Sequence, residues 1–222
     1  MKVKLNVEYD LDMDLHCYDY IFLEEDGGVY SYGREDEIKE FLEELPKEIG
    51  NIVRGKGSRK EKISKLRKFL EKQYKEKGEL FRGNARKLQH KWKSSGDQII
   101  YILEDFYDKE FPYNEVTAYI TTNSVCPYNP EQRYFYVRWT NFSSQLSTAN
   151  HELNHFMFHH YYGYLEKKMG DEKWNILKES MTFFTEPNSS GYPAEKELRE
   201  MYLSKRWKDV DEIIEAGKEI LS

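Results

Sequence analysis

His151, Glu152 and His155 stand in the order His-Glu-x-x-His within STANHELNHFMFHHYY, residues 147–162. Two imidazoles four residues apart on a helix lie one turn from each other, close enough to share a cation. At 100° per residue, with His151 at zero, His155 falls at about 40° and His159 at about 80°. Leu153, Phe156, Met157 and Tyr164 gather between about 140° and 240°, with Leu146 and Ala149 beside them, so a packing face opposes a histidine face. Glu152 projects about 100° from His151, which sets its carboxylate beside a water on the metal instead of on the metal itself. Zinc lowers the pKa of such a water toward neutrality, and a neighbouring carboxylate can take its proton and pass it to a leaving amine. The chemistry implied is peptide-bond hydrolysis, with His151 and His155 as zinc ligands and Glu152 as general base and acid.

A catalytic zinc takes a third protein ligand and keeps one position open. A histidine after a glycine bend would complete one such pattern, but the corresponding positions hold Phe158 and Tyr161. His159 does not converge with the other two, because histidines at i, i+4 and i+8 rise about 12 Å along a straight helix. His160 falls among apolar positions and is assigned to packing. The following helix offers Glu172, Glu179 and Glu186. Its main apolar stripe is Trp174, Leu177, Met181 and Phe184, and Glu179 is flanked on its own side by Ile176 and Phe183. A carboxylate held between bulky apolar neighbours is costly unless it is paired or bound to metal. Glu186 stands one residue before Pro187, near the helix end. These features favour Glu179 over Glu186 and leave both open.

HELNH followed by a helix carrying a glutamate resembles the gluzincin branch of the zincin metallopeptidases, the group that contains thermolysin. The resemblance spans roughly residues 115–186. It implies an α+β, zincin-like fold: a small antiparallel or mixed sheet, an active-site helix and a C-terminal helical subdomain. It also implies one Zn2+ per chain on His151, His155 and Glu179, with Glu152 as the base. A peptide or protein substrate would lie antiparallel along an edge strand matched by Ala118 to Val125, with Ala118, Tyr119, Ile120, Thr121, Thr122 and Asn123 as substrate-binding residues. The family places a Tyr or His donor on the developing oxyanion; Tyr161, Tyr162, Tyr164 and Tyr192 are candidates. Ser180 and Thr182 can support the ligand shell. The Asn-Glu pair usual at the third ligand reads Lys178-Glu179 in this chain.

Elements must position these groups. Val3, Leu5 and Val7 alternate with polar residues and predict a strand; a second strand or hairpin spans Asp19–Tyr32, turning at Asp26-Gly27-Gly28. Glu35–Glu44 predicts a helix ending before Pro46. Arg54–Ser58 is the linker candidate, with Ser58 capping a helix whose stripe is Ile63, Leu66, Leu70 and Tyr74 and which Gly78 interrupts. Further helices cover Glu79–Lys93 and Asp97–Tyr107. Glu115–Val125 and Arg133–Thr140 are β-branched and aromatic, joined through a turn at Cys126–Pro130, and predict an antiparallel hairpin. The motif helix follows, then a helix near Asp171–Thr185, a break at Pro187–Pro193 and two C-terminal helices. The chain divides near residue 95, into an N-terminal region, 1–95, and a zincin-like region, 96–222, or forms one continuous domain.

Eighteen tyrosines and twelve phenylalanines argue for a folded chain. No run reaches the apolar length of a membrane span, and the start, MKVKLNVEYD, shows no secretory h-region. Cys17 and Cys126 form no CxxC pair and read as reduced thiols of a cytoplasmic protein; His16-Cys17 is assigned to packing. Residues 54–93 hold sixteen Lys/Arg against four Asp/Glu, a balance of +12 in a chain of net charge −6. No nucleic-acid motif accompanies this charge, so nucleic acid is not the favoured partner. The chief competitor to a peptidase is a regulatory zinc-binding module whose basic half contacts nucleic acid or an acidic protein. A third possibility joins a peptidase to one specific protein substrate.

Overall fold

A computed structural model of the chain describes residues 2–25, 45–140, 144–186 and 193–222. Strand β1 (Lys4–Glu8) buries Leu5 where the alternation places it. Helix α1 (Leu11–Glu25) starts on Asp10, whose carboxylate accepts from the Met13 amide at 2.9 Å. The sequence reads as a strand or hairpin from Asp19, but Asp19–Glu25 is helix. The Asp10 cap, with Leu11, Leu15 and Tyr18 packing into one cluster, outweighs the β propensity of the aromatic run. The rest of that expected hairpin, with its Asp26-Gly27-Gly28 turn, and the expected helix at 35–44 lie outside the described residues.

Helix α2 (Lys47–Arg54) connects through Gly55–Ser58 to α3 (Arg59–Tyr107), which has 49 residues and is about 73 Å long. Ser58 closes a capping box with Glu61, as its position predicts. Gly78 does not interrupt the helix. A single glycine costs about 1 kcal/mol relative to alanine, too little to stop a run rich in Lys, Glu, Gln and Leu. The division expected near residue 95 falls inside α3. Gly96 is there for packing: a Cβ at that position would lie 2.6 Å from the Trp92 ring. Trp92 Nε1 donates to the Val3 carbonyl at 3.1 Å, and Gln89 donates to the Leu5 carbonyl at 2.7 Å, fastening α3 to β1.

The sheet comprises β1, β2 (Glu115–Thr121), β3 (Tyr128–Asn129) and β4 (Tyr134–Arg138) in the order β1-β2-β4-β3. β2 runs parallel to both neighbours, with Leu5 opposite Val116 and Tyr119 opposite Tyr136. The antiparallel hairpin expected between 115–125 and 133–140 is therefore absent. β4 finds its antiparallel partner in β3, inside the stretch read as a turn. The chain reverses at Pro130–Arg133, where Asn129 Oδ1 accepts the Gln132 amide at 2.8 Å and Arg133 has φ 60°. Tyr134, Phe135, Tyr136 and Val137 are all buried, as suits a strand paired on both sides and covered on both faces.

The motif helix is α4 (Gln145–Tyr162), followed by α5 (Glu166–Met169), α6 (Asp171–Ser180), a 3-10 turn at Met181–Phe184, α7 (Lys196–Ser204) and α8 (Val210–Ile220). One core joins β1, β2, β4, the later half of α3, α4, α6 and the last two helices. A smaller cluster, with Leu15, Tyr18, Ile49, Val53, Leu66 and Leu70 at its centre, packs α1 and α2 against the start of α3. A Cβ at Gly217 would lie 2.6 Å from Leu177 Cδ1, so α8 presses closely on the helix that carries Glu179. Among the described residues, no helix is long and apolar enough to cross a membrane.

Candidate metal centre

α4 buries Leu153, Phe156 and Met157 in the core and turns His151 and His155 toward α6. His151 Nε2 and His155 Nε2 lie 2.9 Å apart, and each is 3.3 Å from Glu179 Oε2. A tetrahedral zinc with ligands at about 2.0–2.1 Å spaces them about 3.3 Å apart, so this donor set fits the ion in type and in separation. His155 is 1% exposed, Glu179 9% and Glu152 6%. Glu152 Oε2 is buried without a hydrogen-bond partner, which suits a carboxylate waiting for a water or substrate donor.

No protein-family model, curated protein or solved structure matches the chain.

The electrostatics of the centre follow from burial and from these contacts. Burial opposes charge on His151, but hydrogen bonds to Glu179 and Glu186 hold its pKa well above the ordinary value. Burial carries His155 down to about 3, with Lys178 and His151 pushing the same way against Glu179. Burial alone would raise Glu179, yet His155, Lys178 and His151 hold it well below the usual carboxylate range. Glu152 is pushed up to about 8 by burial, opposed by His151 and helped by Glu179.

Glu186, the alternative third ligand, takes a different position. Its Oε2 lies 3.3 Å from His151 Nδ1, while Ser147 donates to its Oε1 at 2.6 Å. A carboxylate on the far ring nitrogen of a histidine fixes the tautomer and aims the other nitrogen at the metal. The change from α to 3-10 geometry after Ser180 brings Glu186 back along α4 to this point. Asn154, inside the motif, steadies the arrangement: it accepts from Tyr107 at 2.8 Å and donates to Thr185 at 3.0 Å.

The remaining candidates lie elsewhere. Glu172 is exposed. His159 Nε2 pairs with the Tyr128 hydroxyl at 2.7 Å, and His160, though exposed, lies edge-on to the rings of Tyr113 and Tyr161. Tyr161 donates to the Glu110 carbonyl, Tyr162 donates to Asp211, and Tyr164 is 57% exposed. Tyr192 lies outside the described residues. Ser180 bonds Leu177 and Tyr202, and Thr182 bonds the Glu179 backbone carbonyl, so neither touches the ligand's carboxylate.

The substrate strand needs correction. Ala118, Tyr119, Ile120 and Thr121 belong to β2, which is paired on both sides and presents no open edge. Thr121 and Thr122 donate to Asp14 at 2.7 and 2.9 Å, and Asn123 donates to the Cys17 carbonyl at 3.2 Å, so this stretch anchors α1. His16 likewise meets Tyr136 at 3.0 Å.

Three contributors escaped the sequence. Lys178 bonds Glu179 Oε1 at 3.1 Å, and Tyr128 stacks on His155 at 4.9 Å between ring centroids. Ser147 holds Glu186. Only the replacement of the usual Asn by Lys178 left a trace. Tyr128 sits in a stretch that reads as a turn, and nothing local to it points toward α4.

Proposed function

We propose that the chain is a zinc-dependent peptidase. The observation that carries this reading is the convergence of His151 Nε2, His155 Nε2 and Glu179 Oε2, at 2.9–3.3 Å from one another, together with Glu152, whose Oε2 is buried without a hydrogen-bond partner. Those three atoms would hold one zinc per chain, and the ion when bound would supply an acidified water and a polarised carbonyl. Glu152 receives a proton at its carboxylate and returns it to the leaving amine. Glu186 keeps His151 in the tautomer whose Nε2 lone pair is free for the metal. Such an ion would also draw the Glu152 pKa down from its raised value, readying it as a base.

The substrate we propose is an extended peptide along the outer side of β3, the strand next to His155. A cleft of about 520 Å³ lies beside β3, lined by Tyr113, Tyr128, Asn129, Glu131 and His159 among others; it adjoins the centre through Tyr128, which stacks on His155, while His151, Glu152, His155 and Glu179 are not among its lining residues. Cys17 and Cys126 are both free, which fits a reducing compartment and the cytoplasmic location included in the proposal.

Metal analysis, with an unstructured protein such as casein as the substrate, tests the reading. The full chain should retain about one zinc and hydrolyse peptide bonds in a chelator-sensitive way. Glu152→Gln should keep the zinc and lose about 10²–10⁴-fold in rate, the usual worth of a general acid-base group. Wild-type protein that holds no zinc, or a Glu152→Gln variant as fast as wild type, would end the proposal. The latter together with salt-sensitive binding to RNA or DNA would favour the regulatory module.

A further inference from the structure

Lys178 is 4% exposed, although it is a lysine on a helix. Consecutive helical residues point about 100° apart and do not face each other. Its side chain nevertheless turns back to its own neighbour, with Nζ 3.1 Å from Glu179 Oε1. The same ammonium donates to the Tyr128 hydroxyl at 2.7 Å and lies 4.9 Å from the centre of the Tyr128 ring and 5.6 Å from that of Trp174. Tyr128 in turn meets His159 Nε2 at 2.7 Å and stacks on His155. The two oxygens of Glu179 thus have different partners: Oε1 faces the ammonium, and Oε2 faces both histidines.

We propose that Lys178 is a positioning residue, whose ammonium holds Glu179 Oε1 so that the carboxylate offers the metal one oxygen only. This rests on the metal site argued above. A buried ammonium is tolerated only when paired, and this pairing puts the charge where it orients a ligand. The site then keeps three protein donors and one open position. Without the lysine, both oxygens of Glu179 can close on the ion.

The test uses the full chain loaded with zinc or cobalt(II). X-ray absorption at the zinc edge should show two imidazole nitrogens and a single carboxylate oxygen from the wild type. Two carboxylate oxygens at bonding distance would overturn the proposal without any variant. Lys178→Met, similar in length but unable to hold Oε1, should give the cobalt form the weaker visible bands of a five-coordinate centre. Lys178→Arg, which keeps charge and donors, should return the wild-type spectrum. A Lys178→Met spectrum identical to wild type, or a Lys178→Arg spectrum like that of the methionine variant, overturns the assignment. Wild-type protein that takes up neither ion rejects the metal site itself, so the two failures are distinguishable.

Discussion

Glu179 and Glu186 reach the two ring nitrogens of His151 from opposite sides, and that division gives them separable roles. Glu179→Ala removes the proposed third ligand and should abolish zinc retention through gel filtration. Glu186→Ala removes only the support on Nδ1, and a loss of about 10–100-fold in zinc affinity is expected. Equal losses in the two variants would contradict this division. The raised pKa of His151 adds a pH signature. In the metal-free protein this imidazole carries a proton at neutral pH that a metal must displace. Zinc binding at pH 7 should therefore release this proton, together with one from Glu152 as the ion draws down its raised value of about 8, and affinity should climb with pH until the metal-free protein loses those protons unaided. Calorimetric titrations in buffers of different ionisation heat measure the release; a heat independent of buffer would exclude it. The same shift makes His151 stabilise the metal-free fold fully below its ordinary value of 6.5, a contribution lost as pH rises through the higher folded value. The positions of His151, Glu152 and His155 were legible in sequence because helical spacing alone sets their relative directions. Lys178 and Tyr128 meet across 50 residues of chain, and no local period encodes that contact.

At the scale of elements, α3 illustrates which local signals yield to packing. Gly78 and Gly96 look alike in sequence, yet a Cβ at Gly78 meets nothing within 4 Å, whereas one at Gly96 meets the Trp92 indole at 2.6 Å. Gly78→Ala should stabilise the protein by about 0.5–1 kcal/mol through helix propensity alone. Gly96→Ala should destabilise it by about 1–3 kcal/mol, since the indole that donates to Val3 must move. Urea denaturation of the two variants reads both signs. A destabilising Gly78→Ala would mean that the helix does break there. The sheet was legible in part. Its strand-forming stretches at 3–7, 115–125 and 133–140 announced themselves by composition, but their directions did not, because period-two alternation is the same in parallel and antiparallel pairs. The continuous burial of Tyr134–Val137 separates the two cases, and burial is a property of the partners a strand acquires, not of its own residues. Asp14 shows the same limit for α1. It accepts from the Thr121 and Thr122 side chains and from the Thr122 amide, so the helix is fixed by residues more than 100 positions away.

At the scale of the whole molecule, charge and core divide the chain at different places. The basic stretch 54–93 pairs part of its charge with α1, Arg59 on Asp19 at 2.8 Å and Arg67 on Asp12 at 2.7 Å. These exposed pairs contribute little to stability. The apolar core ignores the charge boundary: Val3, Leu5, Ala85, Leu88 and Trp92 belong to the same cluster as Leu153, Phe156 and Leu177, which seat the two helices that carry the proposed ligands. Cutting the chain at residue 95 would split α3, strip β1 from β2, leave a row of β2 backbone groups unpaired and remove Val3, Leu5, Ala85, Leu88 and Trp92 from the core. A fragment of residues 96–222 is therefore expected to lack a cooperative unfolding transition and to lose its zinc, even though all four proposed catalytic and ligand residues lie within it. The full chain under the same conditions should unfold cooperatively and at a temperature that falls on chelation, because an ion bound only by the folded state stabilises it in proportion to the logarithm of its concentration over its dissociation constant. Far-UV circular dichroism melts of both proteins, with and without chelator, decide the matter. A fragment that melts sharply and keeps zinc would establish an autonomous domain, and the first 95 residues would then be an attachment instead of part of its core.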